Sequence, residues 1–305
     1  MVQTYGARIG WVDLPRHIRL QAERIAGGQV TAAVSQNGGF SPGTADRVVL
    51  GDGRRAFVKA VSTSHNERSV ELARNEAHVT ARMPGHAPVP RLLGSYDDGE
   101  WIVLVLEDVE GRHPRTPWVG EEVAATAGAL RDLASAVTPP PLTGLPDAAD
   151  HLAPHFAGWD LIAADPPPDL DLWVRAHLDD LRRAADRGLA AVRHGETLAH
   201  CDIRADNLLV RPDGTVRVVD WAWASIGPDW LDTVLLGMNV LVHGGDDRVL
   251  AGVDPRAAAD VIAGFTGYLR ERSRHPSPGI PHVRDFQRAQ ADAVLPWLRE
   301  RLVTG

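Results

Sequence analysis

Along the first hundred residues, short apolar runs alternate with turn signals, a pattern that predicts a β-rich segment carrying helices. At residues 13–25, Leu14, Ile18, Ala22 and Ile25 recur at helical spacing. Asp13 stands at the start as a capping residue type, and Gly27-Gly28 marks the end. Strands are expected at 47–50 and 56–60 around the turn Gly51-Asp52-Gly53, the second ending on Lys59. Residues 66–83 read as a helix. Another hairpin turns at Asp97-Asp98-Gly99 into the continuously apolar run 101–106. From Glu121 the period becomes helical, with Val123, Ala127, Leu130, Ala134 and Val137 on one stripe. Pro139-Pro140-Pro141 and Pro166-Pro167-Pro168 mark loops in that half, and no internal repeat is visible. The expected architecture is α+β and bilobal: a small antiparallel β lobe with one internal helix over residues 1–109, a connector near 107–111, and a larger helical lobe over 110–305.

One stretch stands out chemically. His200-Cys201-Asp202-Ile203-Arg204-Ala205-Asp206-Asn207 precedes an apolar run, a Pro212-Asp213-Gly214 turn and a second run that ends at Asp220. Two short antiparallel strands joined by a tight turn bring Asn207 and Asp220 to one end of a hairpin. An amide oxygen and a carboxylate held together are hard ligands, suited to Mg²⁺ bridging phosphates. Asp202 lies in the loop leading to that end, where a carboxylate can orient a hydroxyl and accept its proton. The bland alternative is a surface hairpin with aspartates as turn formers. In the β lobe, Leu72, Glu76, Val79 and Met83 share one helical stripe, so Glu76 is a carboxylate on an apolar face and needs a cation. Lys59 is the obvious partner. That pair serves as a structural ion pair or as a device holding the ammonium toward nucleotide phosphates.

Charge and composition narrow the classes. The 305 residues carry 32 Lys and Arg against 40 Asp and Glu, a formal net charge of -8, which argues against a nucleic-acid partner. The single cysteine, Cys201, excludes a disulfide framework and a thiolate-rich zinc site. No signal peptide or bilayer-length apolar run is visible, so no membrane association and a cytoplasmic location are expected. His194 and His200 with Asp202 suggest a metal hydrolase, but that reading leaves Lys59 and Glu76 without work. Trp159, Trp173, Trp221, Trp223, Trp230 and Trp297 read as core or as an aromatic wall. Asp160, Asp165, Asp169, Asp171, Asp179, Asp180, Asp229, Asp246 and Asp247 read as solvated surface or as a face for a cationic substrate.

With Lys59, Glu76, the His-x-Asp-x-x-x-x-Asn loop and Val218-Val219-Asp220 in order, the chain resembles the aminoglycoside phosphotransferase and choline kinase-like group, which shares the protein-kinase fold. The resemblance runs from about Ile25 to Leu236. It implies that Lys59 contacts ATP phosphates, that Glu76 fixes Lys59, that Asp202 is the catalytic base, and that Asn207 and Asp220 bind Mg²⁺. It also implies a hinge at 104–109, with the backbone of Glu107 and Val109 on adenine and Leu106 behind it. Asp232 would brace the catalytic loop. Backbone amides near Gly39 to Ser41 would face phosphate, although Gly38-Gly39-Phe40-Ser41-Pro42-Gly43 departs from the protein-kinase glycine pattern. Arg204 is a second departure: it is either a transition-state clamp or an ion-pair partner of an acid such as Asp206. The implied partners are ATP and a hydroxyl-bearing small molecule. An antibiotic or amino-sugar leads, a primary metabolite such as choline, homoserine or a sugar follows, and a nucleotide-binding scaffold without activity stands as the rival of another class.

Overall fold

The computed structural model describes residues 9–36, 43–277 and 282–302. It opens with a 3-10 turn, Trp11–Asp13, and helix α1, Arg16–Ala26. Asp13 caps differently from expectation. Its carboxylate accepts the Gly10 N–H (2.9 Å) and closes the 3-10 turn, and α1 begins only after Pro15. Pro15 supplies no N–H, and its fixed φ suits a helix start. The helix ends at Gly27, whose φ of +78° is left-handed.

Strands β1 (Val30–Ser35), β2 (Thr44–Leu50) and β3 (Arg55–Ser62) follow, then helix α2 (Glu67–Thr80) and strands β4 (Leu92–Asp97) and β5 (Trp101–Glu107). They form one antiparallel sheet in the order β1-β2-β3-β5-β4. The unbroken apolar run of β5 has a physical cause: both faces of the strand are covered. Trp101, Val103 and Val105 pack with Ile18 and Ala22 of α1, whereas Ile102, Leu104 and Leu106 pack with Val70 and Ala77 of α2. Strand β3 alternates in the same way. Ala56, Val58 and Ala60 turn toward the α1 cluster, so Lys59 belongs to the α2 face. The strand continues past Lys59 to Ser62, longer than its apolar pattern indicates, because Val61 and Ser62 pair with Ile102 and Trp101.

The larger lobe contains α3 (Gly120–Ala136), α4 (Ala148–Phe156), α5 (Gly158–Ala164), α6 (Leu172–Ala176), α7 (Leu178–Val192), β6 (Thr197–Ala199), β7 (Leu208–Val210), β8 (Val216–Val218), β9 (Ser225–Gly227), α8 (Leu231–Val242), α9 (Pro255–Arg272) and α10 (Val283–Leu302). Its core is built on α8 and α9, and Leu231, Val234, Leu236, Val261 and Ile262 are fully buried. Where α5 crosses α9, a Cβ on Gly158 would lie 2.4 Å from the Gly267 carbonyl carbon, so only glycine lets the helices meet. Helix α2 joins the lobes: Val79 is buried in a cluster with Leu133, Leu208 and Val218, next to the short hairpin β7–β8.

Candidate active site

The hairpin β7–β8 pairs Leu208 with Val218, and the Val219 N–H donates to the Asn207 carbonyl (3.0 Å). Asp220 follows at once with φ +70°, a left-handed conformation that aspartate tolerates better than most residues. Its Oδ1 lies 3.2 Å from Lys59 Nζ, which in turn lies 2.6 Å from Glu76 Oε2. The expected Lys59–Glu76 pair is therefore present, and it reaches across the lobes to Asp220. Burial works against the Lys59 charge, but the two carboxylates more than offset it and raise its pKa. Burial likewise pushes Glu76 up, and Lys59 offsets part of that. For Asp220, burial is outweighed by Lys59, and the carboxyl is held below its usual range.

Asp202 sits across this end of the hairpin. Asn207 Nδ2 donates to the Asp202 carbonyl (2.7 Å) and to its Oδ2 (3.0 Å), and Arg204 Nη1 donates to Oδ1 (3.1 Å). Burial pushes the Asp202 carboxyl up, against the pull of Arg204 and His200. Arg204 makes the ion pair with Asp206 that one of the two sequence readings expects. Its Nε and Nη2 clasp Asp206 bidentately at 3.0 Å each, while Nη1 stays on Asp202. His200 fixes the loop from below: its Nε2 donates to the Val219 carbonyl (2.9 Å) and its Nδ1 accepts the Asp202 N–H (3.2 Å). These two bonds assign a single ring tautomer. Asp232 accepts the N–H groups of His200 (2.7 Å) and Cys201 (3.0 Å), which places it under the loop, where the sequence expects a brace. Cys201 takes φ +63°, a conformation that costs about 1–3 kcal/mol and is held by these bonds.

Asn207 and Asp220 suit a magnesium ion. Asn207 spends its Nδ2 on Asp202, which leaves its carbonyl oxygen as the donor, and the Asp220 side chain is 46% exposed toward the cleft. Among the described residues no three His, Cys, Asp or Glu side chains gather to form a metal cage. One carboxylate and one amide fit a cation that completes its shell with phosphate and water.

At the connector, Leu106 of β5 is buried on the α2 face of the sheet, while the Glu107 N–H donates to Arg91 O (2.8 Å). Val109 makes no hydrogen bond among the described residues, so its backbone groups are open to a ligand. Arg47 holds Asp108 with a bidentate bond (2.6 and 2.9 Å), and Arg55 joins it at 2.8 Å, an anchorage that sequence reading missed because the partners lie about sixty residues apart. Gly39 and Ser41, expected to face phosphate, lie outside the described residues.

A cleft of about 790 Å³ runs from Lys59, Glu76, Asp202 and Asp220 into the helical lobe, where His151, His155, Trp223, Tyr268, Arg272 and Arg284 line it. Sequence reading singled out Trp223 only as one tryptophan among six and missed the other five. Trp159 and Trp221 belong to the core, each 1% exposed. No helix among the described residues is long and apolar enough to cross a membrane.

Residues 39–272 match the phosphotransferase enzyme family. No curated protein matches the chain. Among solved structures, an aminoglycoside phosphotransferase in complex with GDP and kanamycin is 15% identical with a TM-score of 0.62, covering 95% of this chain and 100% of its own. The aminoglycoside phosphotransferase of Alicyclobacillus acidocaldarius is 16% identical with a TM-score of 0.55, covering 96% and 97%. A thermostable aminoglycoside phosphotransferase solved with ADP and hygromycin B is 13% identical with a TM-score of 0.58, covering 93% and 96%. The chain shares its fold with these structures, and with three quarters of its length matched it belongs to the phosphotransferase enzyme family, as a small-molecule kinase of protein-kinase-like fold.

Proposed function

We propose that the protein transfers the γ-phosphoryl group of ATP, with Mg²⁺, to a hydroxyl of a small organic acceptor bound in the helical lobe. The observation that carries this reading is the convergence of Lys59 from β3, Glu76 from α2, Asp202 from the loop before β7 and Asp220 from the end of β8 at the mouth of one cleft, with Asn207 of that same loop bonded to Asp202. Residues 1–109 bind nucleotide, and residues 110–305 supply the catalytic loop and the acceptor pocket. In this reading Lys59 contacts the α- and β-phosphates, and Glu76 keeps its ammonium aimed there. The backbone of Glu107 and Val109 receives adenine against Leu106, and the amides of Gly39 and Ser41 cover phosphate. Magnesium, when bound by Asn207 and Asp220, neutralises charge on the transferring phosphates.

Asp202 orients the acceptor hydroxyl and takes its proton, a task suited to a carboxylate fixed on both oxygens. Arg204 holds Asp202 in place and brings positive charge to the mouth of the site. The similar phosphotransferases solved with kanamycin or hygromycin B support an antibiotic or amino-sugar as the acceptor. A primary metabolite is the second reading, favoured by the partly apolar lining of the helical side. The inactive-scaffold reading lacks a missing residue to rest on, because every expected catalytic position holds a competent side chain.

The test is ADP release by the purified protein across aminoglycosides, other hydroxylated antibiotics, amino-sugars and simple metabolites, with Asp202→Asn as control. Acceptor-dependent release that the variant loses is expected. Release that is equal in the variant, or absent with every class, contradicts the proposal.

A further inference from the structure

Apart from Asp202 and Asp220 of the phosphotransfer site, no acid of the helical lobe is among the described residues that line the cleft. Asp160 is paired with Arg182, Asp165 with Arg274, Asp169 with Arg288 and Asp171 with Arg299. None of these aspartates lines the cavity. The carboxylates among its described lining residues are Glu76, Asp202 and Asp220, all within the phosphotransfer site itself. On the acceptor side the lining carries cations. Arg272 lies with its Cζ 5.7 Å from the Tyr268 ring, and Arg284 bonds the Pro276 carbonyl (3.2 and 3.0 Å) and Gln287 Oε1 (2.8 Å). Among the described residues neither guanidinium has a carboxylate partner.

Both arginines line this one cavity, and burial and the neighbouring Arg272 charge both lower the Arg284 pKa, the mark of two like charges that repel. Burial keeps His155 neutral, with its pKa lowered to about 4, so it supplies no compensating charge. A polycation entering on this side would meet like charge, with carboxylates only at the phosphotransfer end, a juxtaposition that disfavours such partners. An anion would relieve it, through the planar forks that arginine offers to carboxylate and phosphate.

We propose that the acceptor is a hydroxylated anion, its carboxylate or phosphate held by Arg272 and Arg284 and its apolar body lying against Trp223 and Tyr268. This rests on the phosphotransfer reading and narrows its substrate class away from polycationic amino-sugars.

The test uses three probes of one shape and different charge: 4-(hydroxymethyl)benzoate, 4-(hydroxymethyl)benzamide and 4-(aminomethyl)benzyl alcohol. Each is titrated by calorimetry into the full chain saturated with AMP-PNP and Mg²⁺, so that the nucleotide site is closed to them. The benzoate is expected to bind about tenfold or more tighter than the amide, a difference of about 1.4 kcal/mol, with the ammonium probe weakest. Arg272→Gln with Arg284→Gln should erase the preference for benzoate while the amide binds as before. The proposal is overturned if the ammonium probe binds tightest, if charge makes no difference, or if the double variant keeps the preference. It is equally overturned if the benzoate shows no binding up to about 10 mM, the weak end expected for so small a ligand. AMP-PNP affinity, measured first, reports on the phosphotransfer reading separately: failure there sinks that reading, whereas failure with the probes sinks only this one.

Discussion

The Asp202 carboxylate is fixed before any acceptor arrives, with Arg204 on one oxygen and Asn207 on the other. Replacing it with asparagine keeps the shape but removes the basic oxygen and opposes the Asn207 amide. Turnover of Asp202→Asn should fall by about 10²–10⁴-fold. Its MgATP affinity by calorimetry should stay within a few-fold, because the proposed nucleotide and metal contacts lie on Lys59, Asn207 and Asp220; retention of most of the rate would remove Asp202 as the base. Lys59 poses a different question, since its loss strands Glu76, which is 4% exposed. Lys59→Met is expected to cost about 1–3 kcal/mol of stability, as for a buried group left without its partner. Adding Glu76→Gln should restore most of that stability while activity stays lost. Additive stability losses in the double variant would mean that the two side chains are uncoupled. These residues were legible in the sequence because their types and order are dictated by chemistry. Arg272 and Arg284 were not, since an arginine in a helical stretch reads as solvated surface until the fold shows which face meets the cleft.

Helices and strands carry the site by small ties between distant elements. Asp232 opens α8 and receives two N–H groups from the loop before Asp202, so one side chain sets the height of the catalytic loop. In Asp232→Asn an amide N–H would face one of those donors. A loss of kcat on the order of 10²-fold is expected, the size that follows from a displacement of about 1 Å, with MgATP affinity nearly unchanged. A parallel loss of nucleotide affinity would show that Asp232 serves the whole fold rather than the loop.

The connector is tied by a second carboxylate. Arg112 exchanges backbone hydrogen bonds with Val210 of β7, and Glu122, at the start of α3, bonds Arg112 (2.5 Å) and Arg115 (2.9 Å). Arg112, with Arg115, lowers the Glu122 pKa from 4.5 to about 2 against the opposing effect of burial. A depressed carboxyl contributes stability that is fully present above pH 4.5 and is lost as pH falls toward about 2. Glu122→Gln should therefore lower stability at neutral pH and flatten the decline between those two values in denaturant titrations. An unchanged acid limb would mean that another carboxyl governs it. At this scale the sequence was legible where apolar periodicity was strong, as in α2, β5 and α3. It was silent on β1, a largely exposed edge strand without alternation, and on β6 and β9, three residues each, whose pairing depends on partners far along the chain.

Over the whole molecule, the two lobes meet through α2 and through the ion pair that Lys59 makes with Asp220. Helix α2 packs Ala77 against the sheet and Val79 against the helical lobe, and Asn75 Nδ2 donates to the Ala222 carbonyl (2.8 Å) just beyond Asp220. The groups proposed to bind nucleotide and metal thus come from opposite lobes, and each half alone lacks the other's charge. The bilobal plan was legible from the switch in periodicity near residue 120. The charge lining the acceptor pocket was not, because it is set by which arginines the helices turn inward.

The claim at the centre of this account is that Asp220 and Asn207 bind MgATP jointly with Lys59. Calorimetric titration of ATP, with Mg²⁺ and with a chelator, into the wild-type protein, Asp220→Ala and Asn207→Ala tests it without knowledge of the acceptor. The account predicts that Mg²⁺ strengthens ATP binding to the wild type, that Asp220→Ala abolishes this dependence, and that Asn207→Ala weakens it less, since a neutral amide contributes less to a hard cation. ATP binding of equal strength with and without Mg²⁺ in the wild type, or an unchanged Mg²⁺ dependence in Asp220→Ala, would contradict it.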